Sequence, residues 1–233
     1  MDTASSSIQT ESPWTLLYAD KVAVVDTNLR ELEAKVQAWN DALSRHGLKL
    51  NVKKSEYLAH NNVNPSWVTI NGIPLPKARH FKYLGSTIHE NGGPEADTRN
   101  RIGAAWNKWR QLTGVLCDQR IPRRLKSKIY KTVVRPVALY GCECRPDTKA
   151  TKQAIKVMEM KMLRFSMGIT RLDKVPNEKV RADMGVAPIE DKIREQRLRW
   201  YGHVQRAAPD HIARSAVDME VEGKLPSGRP KLR

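Results

Sequence analysis

The chain has 233 residues, 40% of them apolar, and a formal net charge of +16 with a pI near 9.9. That length allows one large or two small domains with a sizeable core, and the charge calls for a polyanionic partner, nucleic acid or an acidic membrane surface. Three cysteines, Cys117, Cys142 and Cys144, are too few for a disulfide framework, and no apolar run approaches the ~20 residues of a membrane span. With no signal peptide in front, the expectation is a soluble protein of a reducing, intracellular setting, cytoplasm or nucleus. Cys142-x-Cys144 has no histidine near it in sequence, whereas a structural zinc site usually takes four ligands in two spaced pairs. The charge is unevenly spread. Residues 1–96 hold 10 Lys/Arg and 10 Asp/Glu, whereas residues 97–233 hold 31 and 15, so the whole surplus lies in the later part.

In chain order, residues 1–13 are polar and Ser/Thr-rich without apolar periodicity, which predicts a poorly ordered leader or the edge of something larger. Leu16-Leu17-Tyr18 and Val22-Ala23-Val24-Val25 flank Ala19-Asp20-Lys21, a tight β-hairpin pattern with Asp20 at its tip. A carboxylate there either favours the bend or holds a divalent cation, and both readings stand at this point. Asn28 with Glu31 three residues on opens an amphipathic helix carrying Leu29, Leu32, Val36, Trp39 and Leu43, which Gly47 ends. Leu48 to Val52 alternates as a half-buried strand. Trp67 to Ile70 leads into the hairpin turn Asn71-Gly72, and Phe81 to Ile88 supplies another strand.

Gly92-Gly93-Pro94 marks a boundary, after which the chain turns helical. Ile102, Trp106, Trp109, Leu112 and Leu116 share one face. Pro122 opens a basic helix with Arg123, Arg124, Lys126, Lys128 and Lys131 outward and Leu125, Ile129 and Val133 on its apolar side. A helix over 147–167 points Ile155, Met158, Met162 and Phe165 inward and ends at Gly168, and another over 188–206 mixes Ile193, Leu198, Trp200 and Tyr201 with arginines. Gly223 to Arg233 reads as a flexible basic tail, with Ser227 to Arg233 a weak match to a minor-groove hook.

Three stretches in this order, Pro13 to Asp20, Gly47 to Glu56 and Phe81 to Gly85, resemble the later palm motifs of reverse transcriptases from non-LTR, LINE-type retrotransposons, the RTE-like group especially. The likeness continues through Leu139 to Glu143, Arg197 to Val204 and Gly228 to Lys231, and so covers residues 13–233. It implies an α+β fold: a partial polymerase palm of antiparallel β with helices over 1–92, a mostly α-helical thumb-like region over 93–146, and a basic helical C-terminal region over 147–233. Asp20 matches the first aspartate of the family's Tyr-x-Asp-Asp hairpin, and Lys54 the lysine placed near the leaving phosphates, where a cation acts as general acid or charge stabiliser. Tyr18, Phe81, Tyr83, Leu84 and Gly85 match the hairpins that approach the primer end. The intact family carries two Mg²⁺ or Mn²⁺ ions about 4 Å apart and an RNA and DNA template–primer duplex.

Two departures bear on activity. Lys21 stands where the family has its second aspartate, an ammonium beside the metal-binding carboxylate. The family's other metal-binding aspartate lies upstream of the segment that Met1 matches. A third, Arg145, replaces a usual tryptophan. The expectation is a reverse-transcriptase fragment that does not polymerise alone and binds no productive metal. The alternative is a catalytically dead RNA- or DNA-binding module, and a third reading is a relic or interaction protein. In the basic half, Arg123, Arg124, Lys126, Lys128 and Lys131 would track phosphates, while Arg197, Arg199, Trp200 and His203 would combine charge with stacking. The plainer alternatives are a solvated helix face and, for Trp200, a core position.

Overall fold

The computed structural model describes residues 5–10, 14–60 and 67–219. The tail expected over 223–233 lies outside them, as does most of the leader. The fold is α+β, with three small antiparallel ladders in the first part and helices in the second.

β1 (Thr15–Tyr18) and β2 (Lys21–Val24) pair in the register Thr15 with Val24 through Tyr18 with Lys21. The two-residue loop Ala19-Asp20 turns the chain with Ala19 at φ 53°, a left-handed conformation that an alanine adopts only at some cost. Helix α1 (Leu29–Arg45) follows. The Asn28 side chain accepts from the Arg30 amide at 2.9 Å, and Glu31 sits in the positive first turn. At its end the Gly47 amide reaches the Ser44 carbonyl and the Leu48 amide the Leu43 carbonyl, both at 3.0 Å, a Schellman closure that the positive φ of Gly47 permits.

That closure is why the strand expected over 48–52 does not form. Leu48 is consumed in capping, and Val52–Lys54 close a 3₁₀ turn in which the Lys54 amide and the Ser55 hydroxyl both donate to the Asn51 carbonyl at 3.0 Å. β3 (Thr69–Ile70) and β4 (Ile73–Pro74) join at Asn71-Gly72, both with positive φ as a type I′ turn requires. Trp39, Ala42 and Leu43 of α1 are buried, and Leu29, Leu32 and Val36 pack onto a small core of Tyr57, Val68, Ile70 and Leu75. β5 (His80–Tyr83) and β6 (Ser86–His89) take the place of the single strand expected over Phe81 to Ile88. Leu84 at φ 48° and Gly85 at φ 85° fold it back on itself.

The helices are α2 (Glu95–Gln111), α3 (Thr113–Leu116), α4 (Arg123–Ile129), α5 (Arg135–Leu139), α6 (Lys149–Met167), α7 (Asn177–Met184), α8 (Ile189–Arg206) and α9 (Ile212–Asp218). One apolar cluster runs through them from Ala105 to Ile193, including Trp109, Leu116, Val134, Met158, Met162 and Leu163. Between α4 and α5 the chain does not leave the helix but widens into a π turn over Tyr130–Val134.

This part corrects two inward faces. On α4 it is Lys126, 2% exposed, and Ser127 that turn in, while Leu125 is 44% exposed. The Lys126 stem lies against α6, and its ammonium donates to the Ser166 carbonyl in the last turn of that helix at 2.8 Å, where the helix dipole favours a cation. On α6, Ile155, Met158 and Met162 are buried as expected, but Phe165 is 59% exposed. Its ring rests edge-on against Trp106 at 6.4 Å and tilted against Trp109 at 5.9 Å, covering their outer side. Among the described residues no helix is long and apolar enough to cross a membrane.

Candidate functional site

The tip of the β1–β2 hairpin presents Tyr18, Asp20 and Lys21 to solvent. Among the described residues Asp20 has no hydrogen-bond or ion-pair partner. It is the single carboxylate of this hairpin, with an ammonium next to it, and no group of three or more His, Cys, Asp or Glu gathers among the described residues. Mg²⁺ and Mn²⁺ want several hard oxygen ligands held together. The donor set present does not fit such an ion.

The second hairpin is tied to the first. The Tyr83 hydroxyl donates to the Leu16 carbonyl of β1 at 3.2 Å, and burial raises its pKa, so it remains a donor. Phe81 stacks beside Tyr83 on the same face at 6.2 Å. The turn itself is held from the helical part: Tyr140 donates to the Leu84 carbonyl at 3.1 Å and Arg101 to the Gly85 carbonyl. Arg101 lies over the Tyr140 ring at 4.4 Å. At a φ of 85° the backbone favours glycine at position 85, and a side chain there would start 3.1 Å from the Arg101 guanidinium and push it aside. Lys54 ends the 3₁₀ turn with an exposed side chain, and among the described residues no bond joins it to the Asp20 hairpin.

Behind β6 runs a buried polar chain. Asp97 of α2 accepts from the Thr87 amide at 2.9 Å and from Arg145 at 3.0 Å, and the Arg145 carbonyl accepts from Arg197 of α8 at 2.8 Å. Arg145 is thus buried as a charge with its counter-ion.

Comparison with known protein families, with curated proteins and with solved structures finds no match.

The expected basic surface sorts into used and free cations. Lys126 is withdrawn into the core, a correction to its expected phosphate contact. Arg123 pairs with Asp183 at 3.6 Å, Lys131 donates to the Gly185 carbonyl at 3.3 Å, and Arg199 pairs with Glu195 at 2.8 Å. Arg197 is half-buried on the Arg145 carbonyl. Arg124, Lys128 and His203 are exposed and, among the described residues, have no side-chain partner. Trp200 is 40% exposed, so the core alternative for it is not what the fold adopts. Cys142 is buried against Gln196, and burial pushes its thiol up to about 12, while Cys144 is exposed.

What the sequence reading missed is a cleft of about 540 Å³ between the β5–β6 ladder and α2, lined by His80, Lys82, Thr87, Arg99, Asn100 and Asn107 among others. The signal was available in two spacings. His80 and Lys82 alternate with Phe81 and Tyr83, so they face the other way, and Arg99, Gly103 and Asn107 recur at four-residue steps on one face of α2.

Proposed function

We propose that this chain is part of a reverse transcriptase of the LINE-type, RTE-like kind that binds RNA and DNA but does not polymerise by itself. The observation that carries the reading is the ordered series of the Asp20 hairpin, the Gly47–Glu56 segment and the Phe81–Gly85 hairpin. The Tyr83 to Leu16 bond supports it, because a palm and a primer-end hairpin have to be held together to work on one substrate. In this reading residues 1–92 are the later part of a palm and the helices from α2 onward a thumb and its continuation. Inactivity follows from Lys21. An ammonium in place of the second carboxylate removes a ligand and adds a charge that repels the divalent ion.

A second reading, a nucleic-acid-binding module without chemistry, is favoured by the +16 surplus confined to residues 97–233 and by Arg124 and Lys128, exposed with no carboxylate on them. Primer extension on an RNA template with Mg²⁺ or Mn²⁺ separates the two. No extension is expected from the chain. Templated synthesis that Asp20→Ala abolishes would overturn the inactive assignment, and failure to be retained on RNA at low salt would overturn both readings.

A further inference from the structure

The cleft behind the β5–β6 ladder has a chemistry of its own. One wall offers Lys82 and His80, the other Arg99 and Asn107, and among the described residues neither Lys82 nor Arg99 has a hydrogen-bond or ion-pair partner. Asn100 donates to the Thr87 hydroxyl oxygen at 2.8 Å, which leaves the Thr87 O–H and the second Asn100 N–H to donate into the cleft. Arg110 donates to the Asn107 carbonyl oxygen at 3.0 Å, leaving that amide's N–H groups outward. Against these donors stands one carboxylate in the lining, Glu56. The site is built to receive an anion.

Its floor narrows the class further. Gly103 and Ala104 line it on α2, and a Cβ added at Gly103 would meet nothing within 4 Å. The His80 imidazole is the one aromatic ring among the lining residues and no large apolar side chain is there, so the cleft has no pair of rings to sandwich a nucleobase and no slot to bury a peptide's apolar side chain. The rise of an α-helix places Arg99 and Asn107 about 12 Å apart along α2. That span is longer than one phosphate group and suits a row of them along one strand. A chain of anions with its bulk turned outward fits these features better than a compact nucleotide.

We infer that the cleft between the β5–β6 ladder and α2 takes up the phosphodiester backbone of a single nucleic-acid strand, with the bases facing away from the protein. This rests on the nucleic-acid reading above and adds to it residues that, Lys82 apart, lie outside its motifs and its basic helices. Lys82 and Arg99 each neutralise a phosphate, Thr87, Asn100 and Asn107 donate to the oxygens between them, and Gly103 lets the backbone approach the helix.

The test uses the full chain and poly(U), with affinity measured across a range of salt. Lys82→Ala with Arg99→Ala is expected to weaken binding and to lower the log–log salt slope by about 1.4, two single-strand phosphate contacts. Gly103→Glu is expected to weaken binding as well, while thermal stability holds or rises, because a helix-interior glycine is replaced by a better helix former in open space. A chain that is not retained on poly(U) at low salt overturns the nucleic-acid reading and the cleft with it. A chain that is retained, with both variants matching the parent in affinity and slope, overturns the cleft alone. Equal displacement of poly(U) from the cleft by polyglutamate at matched charge overturns the phosphodiester assignment in favour of an acidic peptide.

Discussion

Glu159 is fully buried at the centre of the helical part and is met from every side. Tyr130 donates to it at 2.9 Å, Arg135 at 2.7 Å, the Ile189 amide at 3.1 Å, and Arg181 lies at 3.6 Å. Arg135 also donates to the Ala187 carbonyl at 2.5 Å, so one guanidinium and one carboxylate hold the start of α8 against α6. Burial first, and the carboxylate second, raise the Tyr130 phenol above its ordinary range, which keeps it a donor. Two cations share one anion here, and removing the anion would strand both in low dielectric. Glu159→Ala is therefore expected to destabilise the protein by about 3–5 kcal/mol, read as a lower midpoint in denaturant unfolding. A loss under about 1 kcal/mol would mean that water reaches the arginines and the site is not closed. Lys126 makes the same point in milder form: a residue type that belongs outside is turned in because an unpaired carbonyl at a helix end needs a donor.

Among the elements, the tie between α1 and the β3–β4 ladder rests on one carboxylate. Glu33 accepts from both the amide and the hydroxyl of Thr69, the amide at 2.8 Å, while Gln37 accepts from the Asn71 amide at 3.0 Å. The Thr69 hydroxyl and then its amide hold the Glu33 carboxyl below its ordinary value of 4.5. A folded-state pKa that is depressed contributes stability that is complete above the unfolded value and fades as pH falls through the folded one. The unfolding midpoint of the parent chain should thus fall as pH drops below 4.5, and Glu33→Gln should fall less over the same window. Equal acid sensitivity would assign it to other paired carboxylates such as Asp26, held low first by Lys35.

Helix starts and stops were legible in sequence at Asn28, Gly47, Pro122, Gly168 and Pro188, whereas α7, closed by Gly185, and α9, capped by His211, are too short to show a period. The Asn71-Gly72 turn was legible too. Three features were not. Leu48 to Val52 alternates well but has no strand to pair with, and capping claims its first residue. Leu84-Gly85 breaks a strand that is continuous by residue pattern, a hairpin that only the family resemblance implied, because its two positive φ values are held by Tyr140 and Arg101 from elsewhere in the chain. The polar chain of Asp97, Arg145 and Arg197 joins residues far apart in sequence, and only the fold brings them together.

At the scale of the molecule, two cores of unequal size divide the labour. The first, under α1, has four buried members, and among the described residues the three ladders do not merge into one sheet. The second runs through α2 to α8. Two-stranded ladders are marginal by themselves, whereas amides inside a packed bundle open only with global unfolding. Hydrogen exchange is expected to be fast across β1–β2 and slowest in α6, where Met158, Met162 and Leu163 are buried. Uniform protection along the chain would show instead that the ladders and helices unfold as one unit. The charge follows the same division, since the neutral part holds the Asp20 hairpin and the strongly basic part the larger core.

The π turn at Tyr130–Val134 carries a consequence for how this helix can change over time. A regular helix turns about 100° per residue, so side chains five apart point well away from each other. The widened turn brings Tyr130 and Arg135 onto the same carboxylate. The number of residues between them, more than their identity, therefore sets whether α4 and α5 present matching faces to α6. Thr132 and Lys131 are both exposed, and their side chains reach only the Lys128 and Gly185 carbonyls. Dropping either would rotate everything after it out of phase with the buried anion, so a single deletion here costs more than a substitution at either of these two positions.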